Sequence, residues 1–316
     1  MGPTEQTIFE QFPYWSKAIG PLEPARDAEV LVFVGCGSSY YIALSLAATA
    51  NASGRRAIAV PGGEWLVRPA SYLANWTEAH VVALSRSGET TETVAAAKAS
   101  RAAGAFVTAI TVEAESSLAK NCDRLVSAAT HPVEGVVMTV SASLMLLLGL
   151  QLVGHSVSPS VVDVARALLE NVDAELPELI AGKSHFVYLG GGPLFGIASE
   201  GALKLMEMSQ VYTQAFHPLE YRHGPISLVD DATMAVMLYS SEREAEARLV
   251  SEIQDKGGRV VGVGGPGDAS FGLDVDPAVA GLASLPALQL LGERAAQSRN
   301  INTVAPRHLT KVVMLG

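Results

Sequence analysis

Short, almost wholly apolar runs alternate with longer amphipathic stretches in the first half of the chain. The apolar runs are Glu29–Val34, Arg56–Val60, His80–Leu84, Phe106–Thr111 and Arg124–Ala128. Such runs, rich in β-branched residues, predict strands that are buried on both faces. Helical patterns at Tyr40–Ala52 and Thr90–Ala103 lie between them. This half therefore predicts an α/β fold in which helices cover both faces of a parallel sheet.

The second half of the chain repeats the first at a nearly constant offset. Gly35-Cys36-Gly37 matches Gly190-Gly191-Gly192, and Val81–Ser85 matches Val236–Ser240, both at a shift of 155 positions. The run Val107–Ile110 matches a later apolar run at almost the same shift. Ordered matches at one offset indicate two copies of a single α/β unit.

The second copy predicts its own strands and helices. The strands are Phe186–Leu189, Ala235–Tyr239 and Val260–Val263, and the helices are Gly196–Ser209, Glu242–Lys256 and Pro286–Asn300. The stretch Gly154–Pro159 breaks the pattern and joins the copies. We therefore expect a first domain over residues 1–154, after a short N-terminal helical segment, and a second over residues 155–316 that includes a C-terminal tail.

Composition excludes several classes of function. A formal charge of −10 argues against wrapping nucleic acid, which needs basic surface. Only two cysteines and no visible signal peptide favour a reduced, cytoplasmic setting. The apolar run Val136–Val153 holds polar residues and predicts a buried helix, not a membrane span. The histidines show no paired ligand spacing, so no metal is expected, and Gly35-x-Gly37 lacks the third glycine of a nicotinamide-binding loop. We expect no cofactor.

The string SRSGETTET begins at Ser85, where a predicted buried strand ends, and opens a helix after a turn at Gly88. Ligands of parallel α/β sheets bind at the carboxyl ends of strands, and unpaired N–H groups at a helix start attract anions. Hydroxyl groups and the Arg86 guanidinium would add donors. The candidate phosphate-binding residues are Ser39, Ser85, Arg86, Ser87 and Thr90, with Gly37 and Ser38 lining the same cradle.

Two simpler interpretations of these loops stay open. The string would also serve as an ordinary helix cap, with Ser87 as N-cap and Thr90 or Thr91 as further partners. Cys36 would be a nucleophile only with a nearby base, and none is obvious in the sequence. A small buried residue that fills a tight turn is the better interpretation of Cys36.

Five ordered motifs resemble the double sugar-isomerase (SIS) domain family over nearly the whole chain. They read GCGSSYYIA, SRSGETTET, EGALKLMEMS, EYRHGPISLV and APRHLTKVV. The resemblance is to the isomerase half of glucosamine-6-phosphate synthases and to stand-alone amino-sugar-phosphate deaminases. It implies two tandem SIS domains, each a flavodoxin-like, three-layer unit. It also implies a phosphorylated amino sugar as ligand and a homodimer with shared active sites. From the charge and the apolar pattern, we expect no nucleic-acid or membrane partner.

The resemblance also assigns catalytic roles in the second half. Glu207 would move a proton between the first two carbons of the sugar, His223 would open the ring, and Lys311 would assist at the ring oxygen or carbonyl. Glu200 and Lys204 share a helix face with Glu207 and would line the pocket. Without the resemblance, each feature has a simpler interpretation. The helix face is typical of a solvated salt-bridge pattern, and Lys311 is typical of a surface charge. The loop around His223 is typical of an irregular surface segment.

The sequence departs from the synthases in two places. Residues 134–141 correspond to a segment that contacts the sugar there, and Met138 and Val140 replace its serine and lysine. Thr139 lies between them as a further pocket candidate. No glutaminase domain precedes the first copy in this sequence, so we do not expect glutamine to be used by this chain alone.

Three functions remain open. The leading hypothesis is an isomerase or deaminase that converts an amino-sugar 6-phosphate to a ketose phosphate and ammonia. A close variant is plain aldose–ketose phosphate isomerisation or deglycation of a fructosamine phosphate. The third is a non-catalytic phosphosugar sensor, although such regulators usually carry a helix-turn-helix module beside a single SIS copy.

Overall fold

The computed structural model describes residues 1–313, and Met314–Gly316 lie outside the described residues. The chain divides into two compact units. The first unit is Glu10–Ser158 together with the C-terminal segment from Arg307, and the second is Met1–Phe9 together with Pro159–Pro306. The N-terminal segment thus belongs to the unit formed by the second half of the chain, and the C-terminal segment belongs to the unit formed by the first half. Matching of the repeats alone does not predict this arrangement.

The elements follow in chain order. Those up to Ser158 are α1 (Pro3–Phe9), α2 (Phe12–Ala18), β1 (Leu31–Gly35), α3 (Ser38–Ala52), β2 (Ala57–Pro61), α4 (Gly62–Val67), β3 (His80–Leu84), α5 (Thr91–Ala102), β4 (Phe106–Thr111), α6 (Ser117–Lys120), β5 (Arg124–Ser127) and α7 (Val140–Leu152). Those that follow are α8 (Val161–Ile180), β6 (His185–Gly190), α9 (Pro193–Ser209), β7 (Thr213–Phe216), α10 (Pro218–Tyr221), β8 (Thr233–Leu238), α11 (Arg243–Gln254), β9 (Arg259–Val263), β10 (Ala269–Phe271) and α12 (Ala280–Ser298).

Each unit contains one five-stranded parallel sheet with the same topology. The first sheet has the order β2-β1-β3-β4-β5, and the second, taken from its other edge, has the order β7-β6-β8-β9-β10. Every strand pair is parallel. This order is that of flavodoxin-like sheets, whose ligands bind beyond the carboxyl ends of the strands. The predicted α/β class with two tandem copies is confirmed.

The two copies agree in backbone detail at the turn after the first strand of each sheet. Gly37 (φ 55°, ψ −127°) precedes α3, and Gly192 (φ 54°, ψ −127°) precedes α9. A Cβ on Gly35 would lie 2.7 Å from the carbonyl carbon of Ser39, and one on Gly190 would lie 2.4 Å from the carbonyl oxygen of Leu194. Only glycine permits these close approaches, so the offset of 155 residues reflects one shared turn.

Several elements differ from the sequence predictions. The segment before His223 was expected to be irregular. It instead contains the end of β7 and the short helix α10. The helix predicted to start at Pro286 starts at Ala280, because packing of this wholly buried stretch overrides the proline. The sequence from Pro306 to Gly316 predicts a loop and a short strand; residues 306–313 contain no strand, and the rest of this segment lies outside the described residues.

The run Val136–Val153 forms the buried helix that its composition predicts. Every residue of α7 is buried in the first unit. Across residues 1–313, no helix combines the length and apolar character that crossing a membrane requires.

Candidate functional site

The candidate phosphate loop follows β3 at the carboxyl edge of the first sheet. Ser85 is buried, and its hydroxyl accepts the N–H of Gly88 at 3.1 Å and donates to Thr90 Oγ1 at 3.2 Å. Gly88 has φ 62°, and a Cβ there would lie 2.0 Å from Ser116 Oγ. The tight turn is therefore specific to glycine, and it folds the loop back over the end of β3.

The structure does not support the ordinary cap interpretation of this loop. Thr90, not Ser87, is the N-cap of α5, and its side chain makes no capping hydrogen bond. The Ser87 hydroxyl accepts the N–H of Glu89 at 3.1 Å, before the helix begins. The first turn of α5 therefore lacks a side-chain cap. The N–H of Thr91 donates within the protein, so an anion would meet the N–H groups that follow it.

The second predicted part of the cradle lies beside the first. Ser38 and Ser39 are buried in the first turn of α3, directly after Gly37. The thiol of Cys36 is 3.5 Å from Thr93 Oγ1 of α5. The loop after β1 therefore contacts the helix that follows the candidate phosphate loop. Hydroxyl groups and two helix starts thus converge at one edge of this sheet.

Cys36 fills a tight space between these elements. A Cβ on Gly62 would lie 2.8 Å from its sulfur. Burial is the main cause that raises the pKa of the Cys36 thiol. A raised pKa lowers the fraction of thiolate, which supports the space-filling interpretation over the nucleophile.

Arg86 is engaged by backbone groups of the protein. Its side chain is buried, and its guanidinium donates to the carbonyl oxygens of Gly135 and Val136, each at 3.0 Å, and of Lys311 at 2.7 Å. These bonds use three of the five N–H donors of the guanidinium. The assignment of Arg86 to phosphate stays a prediction. The structure thus gives Arg86 the task of holding the segment after Glu134 and the C-terminal tail against the phosphate loop.

Thr139 is likewise engaged within the protein. The buried Glu134 accepts from Thr139 N at 2.6 Å, Thr139 Oγ1 at 3.0 Å and Ser141 N at 3.0 Å, all at Oε1. Glu134 thereby supplies the negative group at the start of α7. Val140, which replaces a lysine of the synthases, is fully buried. Sequence reasoning missed Glu134, whose only signal is a carboxylate five residues before Thr139.

Lys311 lies in the tail of the first unit. The residue is exposed, and its amine donates to the carbonyl oxygen of Glu134 at 3.1 Å. The N–H of Thr91 donates to the carbonyl oxygen of Val313 at 3.4 Å. The tail therefore runs beside the helix start of the phosphate loop, and Lys311 is brought to the same edge of the first unit as Ser85.

The second unit holds a buried ionic cluster on α9. Lys204 is 1% exposed and contacts the carboxylates of both Glu200, at 3.6 Å, and Glu207. Glu200 is fully buried, whereas the Glu207 side chain keeps 20% of its surface. The solvated salt-bridge alternative is therefore wrong for this face, because its charged groups are mostly buried. Burying charged groups costs free energy, a cost that ion pairs on the surface avoid.

His223 lies on the surface of the second unit, just after α10. The residue is exposed, and its N–H donates to the carbonyl oxygen of Glu220 at 2.9 Å. The adjacent Arg222 forms an ion pair with Glu252 at 2.8 Å that holds the segment on α11. Within the described residues of this unit, His223 makes no hydrogen bond with Glu207.

The family comparison agrees with this architecture. A model of the SIS domain matches residues 26–154 and 179–268, one match in each copy of the repeat. The chain belongs to the SIS domain family, as its five motifs indicate. Among residues 1–313, no three His, Cys, Asp or Glu side chains are placed to hold a metal ion.

Curated relatives share the chain's sequence over much of its length. The chain is 28% identical over 306 residues to the isomerizing glutamine–fructose-6-phosphate aminotransferase of Sulfurisphaera tokodaii, which covers 92% of this chain and 51% of that protein. It is 32% identical over 268 residues to the enzyme of the same name from Pseudomonas aeruginosa, over 73% of this chain and 43% of that protein. The chain thus spans about half the length of these relatives.

Solved structures resemble the whole chain. The glucosamine-6-phosphate deaminase from Thermotoga maritima is 31% identical, with a TM-score of 0.87 over 99% of this chain and 100% of that one. The tagatose-6-phosphate ketose/aldose isomerase from Escherichia coli is 25% identical, with a TM-score of 0.81 over 94% and 93% of the two chains.

Proposed function

We propose that this chain is an enzyme that deaminates an amino-sugar 6-phosphate to a ketose phosphate. The observation that carries the proposal is the buried cluster of Glu200, Lys204 and Glu207 on α9. Buried charges cost stability, and such clusters with one partly exposed carboxylate are typical of sites that move protons. The likeness to the Thermotoga maritima deaminase over the full chain supports the amino-sugar substrate.

The reaction assigns one task to each part of the molecule. The hydroxyl groups of Ser39, Ser85, Ser87 and Thr90, with the helix N–H groups, anchor the phosphate. His223 moves the proton of the C1 hydroxyl to the ring oxygen, and Lys311 stabilises the charge that develops at the open carbonyl. The open form then carries an aldehyde at C1 and an amine at C2.

Glu207 completes the conversion. Its carboxylate takes the proton from C2 and returns it to C1, while one proton passes from the nitrogen to the oxygen on C1. The aldehyde thereby becomes an alcohol, and the amine becomes an imine at C2. Water hydrolyses the imine to a ketone and releases ammonia. No group outside the sugar and water is consumed, which suits a chain for which we expect no cofactor.

The test is release of ammonia from a panel of hexosamine 6-phosphates, with the sugar products followed by NMR. Glu207→Gln should lose turnover at least about a hundredfold and keep ligand affinity, because the amide cannot carry the proton. Glu220→Gln, an exposed glutamate near His223, is the matched control. Failure of every hexosamine 6-phosphate to release ammonia excludes the deaminase. Equal phosphosugar binding by the wild type and Glu207→Gln, with no turnover of any sugar by the wild type, would favour the sensor.

Plain aldose–ketose isomerisation is the second candidate. The same carboxylate shuttle serves a sugar with a hydroxyl at C2, and the chain resembles the tagatose-6-phosphate isomerase over 94% of its length. The segment from Glu134 to Val140 departs from the synthase-like pattern at Met138 and Val140, and the resemblance implies that this segment contacts the sugar. Conversion of a ketose phosphate in the NMR panel, without ammonia, would select this candidate. Consumption of a fructosamine phosphate would select the deglycase.

We further propose a homodimer in which His223 serves the partner's site, a proposal that the exposure of His223 supports. Two inactive variants, Glu207→Gln and His223→Gln, would then restore activity when their subunits are mixed. About a quarter of all sites would regain both groups if subunits exchange at random. A monomer by light scattering, or no recovery after mixing, would contradict shared sites.

A further inference from the structure

The second unit repeats the backbone of the phosphate cradle. Ser240 lies two residues after the end of β8, in the loop that corresponds to the candidate phosphate loop after β3. Gly191 and Gly192 occupy the positions of Cys36 and Gly37, and the two helix-start glycines share φ and ψ. The site assigned above uses only the first cradle, so the equivalent place in the second unit is unexplained.

A carboxylate occupies that place. Glu246 is 2% exposed, and its Oε2 accepts the N–H of Ser240 at 2.8 Å while Oε1 accepts the Ser240 hydroxyl at 2.7 Å. A Cβ on Gly191 would lie 3.6 Å from Glu246 Oε1 and 3.7 Å from Ser240 Oγ. The carboxylate therefore lies between the two loops whose counterparts form the cradle in the first unit.

We propose that the second unit retains an anion cradle and that Glu246 fills it with its own carboxylate in place of a phosphate or carboxylate ligand. The chain would then bind one phosphorylated ligand, through Ser85 and its neighbours, and the second copy would be closed to external anions. This inference concerns anion binding alone, and it holds whether or not the chain has the proposed activity.

The position of Glu246 distinguishes it from a simple cap of α11. The N-cap of this helix is Glu242, four residues earlier, and its side chain makes no capping bond. Glu246 instead reaches back to the end of β8 and satisfies both polar groups of Ser240. Leu194 and Pro193 replace Ser39 and Ser38 of the first cradle, so Glu246 meets fewer hydroxyl donors than a phosphate would in the first unit.

The test removes the internal carboxylate and supplies an external one. Glu246→Ala is made in a Ser85→Ala background that weakens the first cradle, and melting temperatures are measured in formate, inorganic phosphate and chloride at equal ionic strength. We expect formate or phosphate to raise the Tm of the Glu246→Ala protein by roughly 3 °C once the anion exceeds its Kd about tenfold. The matched control is Glu293→Ala, which deletes another buried glutamate of the second unit.

Binding stoichiometry provides the second measurement. This titration uses chains in which Ser85 is intact. Inorganic phosphate should find one site per chain in the wild type and in Glu246→Gln, whose amide still fills the cradle, and two in the Glu246→Ala single variant. Equal responses of Glu246→Ala and Glu293→Ala to formate would overturn the proposal, as would one phosphate per Glu246→Ala chain. If Glu246→Ala does not fold in chloride, its refolding yield is measured with and without formate. A higher yield in formate would support the proposal, and a yield independent of formate would overturn the proposal.

Discussion

Arg86 donates from Nη2 to the carbonyl oxygen of Lys311 at 2.7 Å, which ties the phosphate loop to the C-terminal tail. The same guanidinium holds the carbonyl oxygens of Gly135 and Val136. The amine of Lys311 in turn donates to the carbonyl oxygen of Glu134. One buried cation thus organises the loop that would hold the phosphate and the lysine that would act on the sugar, although it uses its own donors on backbone groups.

Arg86→Gln should therefore lower turnover more than phosphate affinity. Each hydrogen bond from a charged donor is worth about 1.5–3 kcal/mol, and glutamine cannot reach all three carbonyl oxygens. We expect kcat to fall roughly tenfold or more, with a smaller change in KM and faster hydrogen exchange of residues 307–313.

Arg101→Gln, which removes an exposed cation from the same unit, is the control for loss of charge. A selective loss of ligand affinity in Arg86→Gln, with normal kcat and normal exchange of the tail, would show instead that Arg86 binds the phosphate.

Gly88→Ala should remove phosphate binding. The residue has φ 62°, and a Cβ would lie 2.0 Å from Ser116 Oγ, so the turn that places Ser85 and Thr90 cannot close. We expect a loss of at least about 2 kcal/mol in stability and no measurable phosphosugar binding by calorimetry.

Gly104→Ala separates backbone strain from this clash. Gly104 has φ 99°, and a Cβ added there would meet nothing within 4 Å, so the substitution strains the backbone without a collision. Binding should survive in Gly104→Ala. Loss of binding in both variants would attribute the effect to general destabilisation.

Apolar periodicity was sufficient to predict all five strands of the first sheet and the central strands of the second, but not the edge strands of the second. The predicted bounds of β3 and β4 agree with the structure residue for residue, because both strands are buried on two faces and read as continuous apolar runs. The edge strand β7 is half-buried and carries Thr213 and Gln214, so it gave no such signal. The edge strand β10 has only three residues.

The candidate site shows the same division between local and long-range information. The motif predicted where the phosphate loop lies, since a strand end, a glycine turn and a helix start are adjacent in sequence. The contact of Arg86 with Lys311 joins residues 225 positions apart, and the cluster around Lys204 depends on burial. Neither feature follows from sequence spacing alone. For this reason the sequence predicted Arg86 as a phosphate donor, and a solvent-exposed salt-bridge face remained an alternative for α9.

Lys204→Met should destabilise the second unit strongly. Lys204 is 1% exposed and neutralises two carboxylates, so its removal leaves buried negative charge without a cation. Breaking a buried ion pair in this way costs about 3–5 kcal/mol. Urea unfolding should report the loss, and Lys98→Met, on the exposed face of α5, should change stability little.

The double variant Lys204→Met with Glu200→Gln tests the cause. If uncompensated charge is responsible, neutralising Glu200 should recover part of the lost stability. Further loss in the double variant would indicate that packing of the lysine stem, not its charge, stabilises α9.

His80 should make folding sensitive to acid. The ring is fully buried at the start of β3, and Nε2 lies 2.8 Å from Thr108 Oγ1. Burial, followed by smaller effects of nearby arginines, lowers the pKa of His80 to about 4, from an ordinary value of 6.5. The unfolded chain therefore binds this proton more readily than the folded chain, so stability is complete above pH 6.5 and is lost as the pH falls towards 4.

The expected loss from this group is about 3 kcal/mol, at 1.36 kcal/mol for each unit of pKa difference. Urea unfolding of the wild type and His80→Gln between pH 7 and pH 4 isolates it, because the carboxylates titrate alike in both proteins. The difference between their free energies of unfolding should shrink as the pH falls, since only the wild type loses this contribution. His155→Gln, which removes a partly exposed histidine of the same unit, controls for the loss of a ring. A difference between wild type and His80→Gln that stays constant over this range would mean that the pKa of His80 is the same in the folded and the unfolded chain.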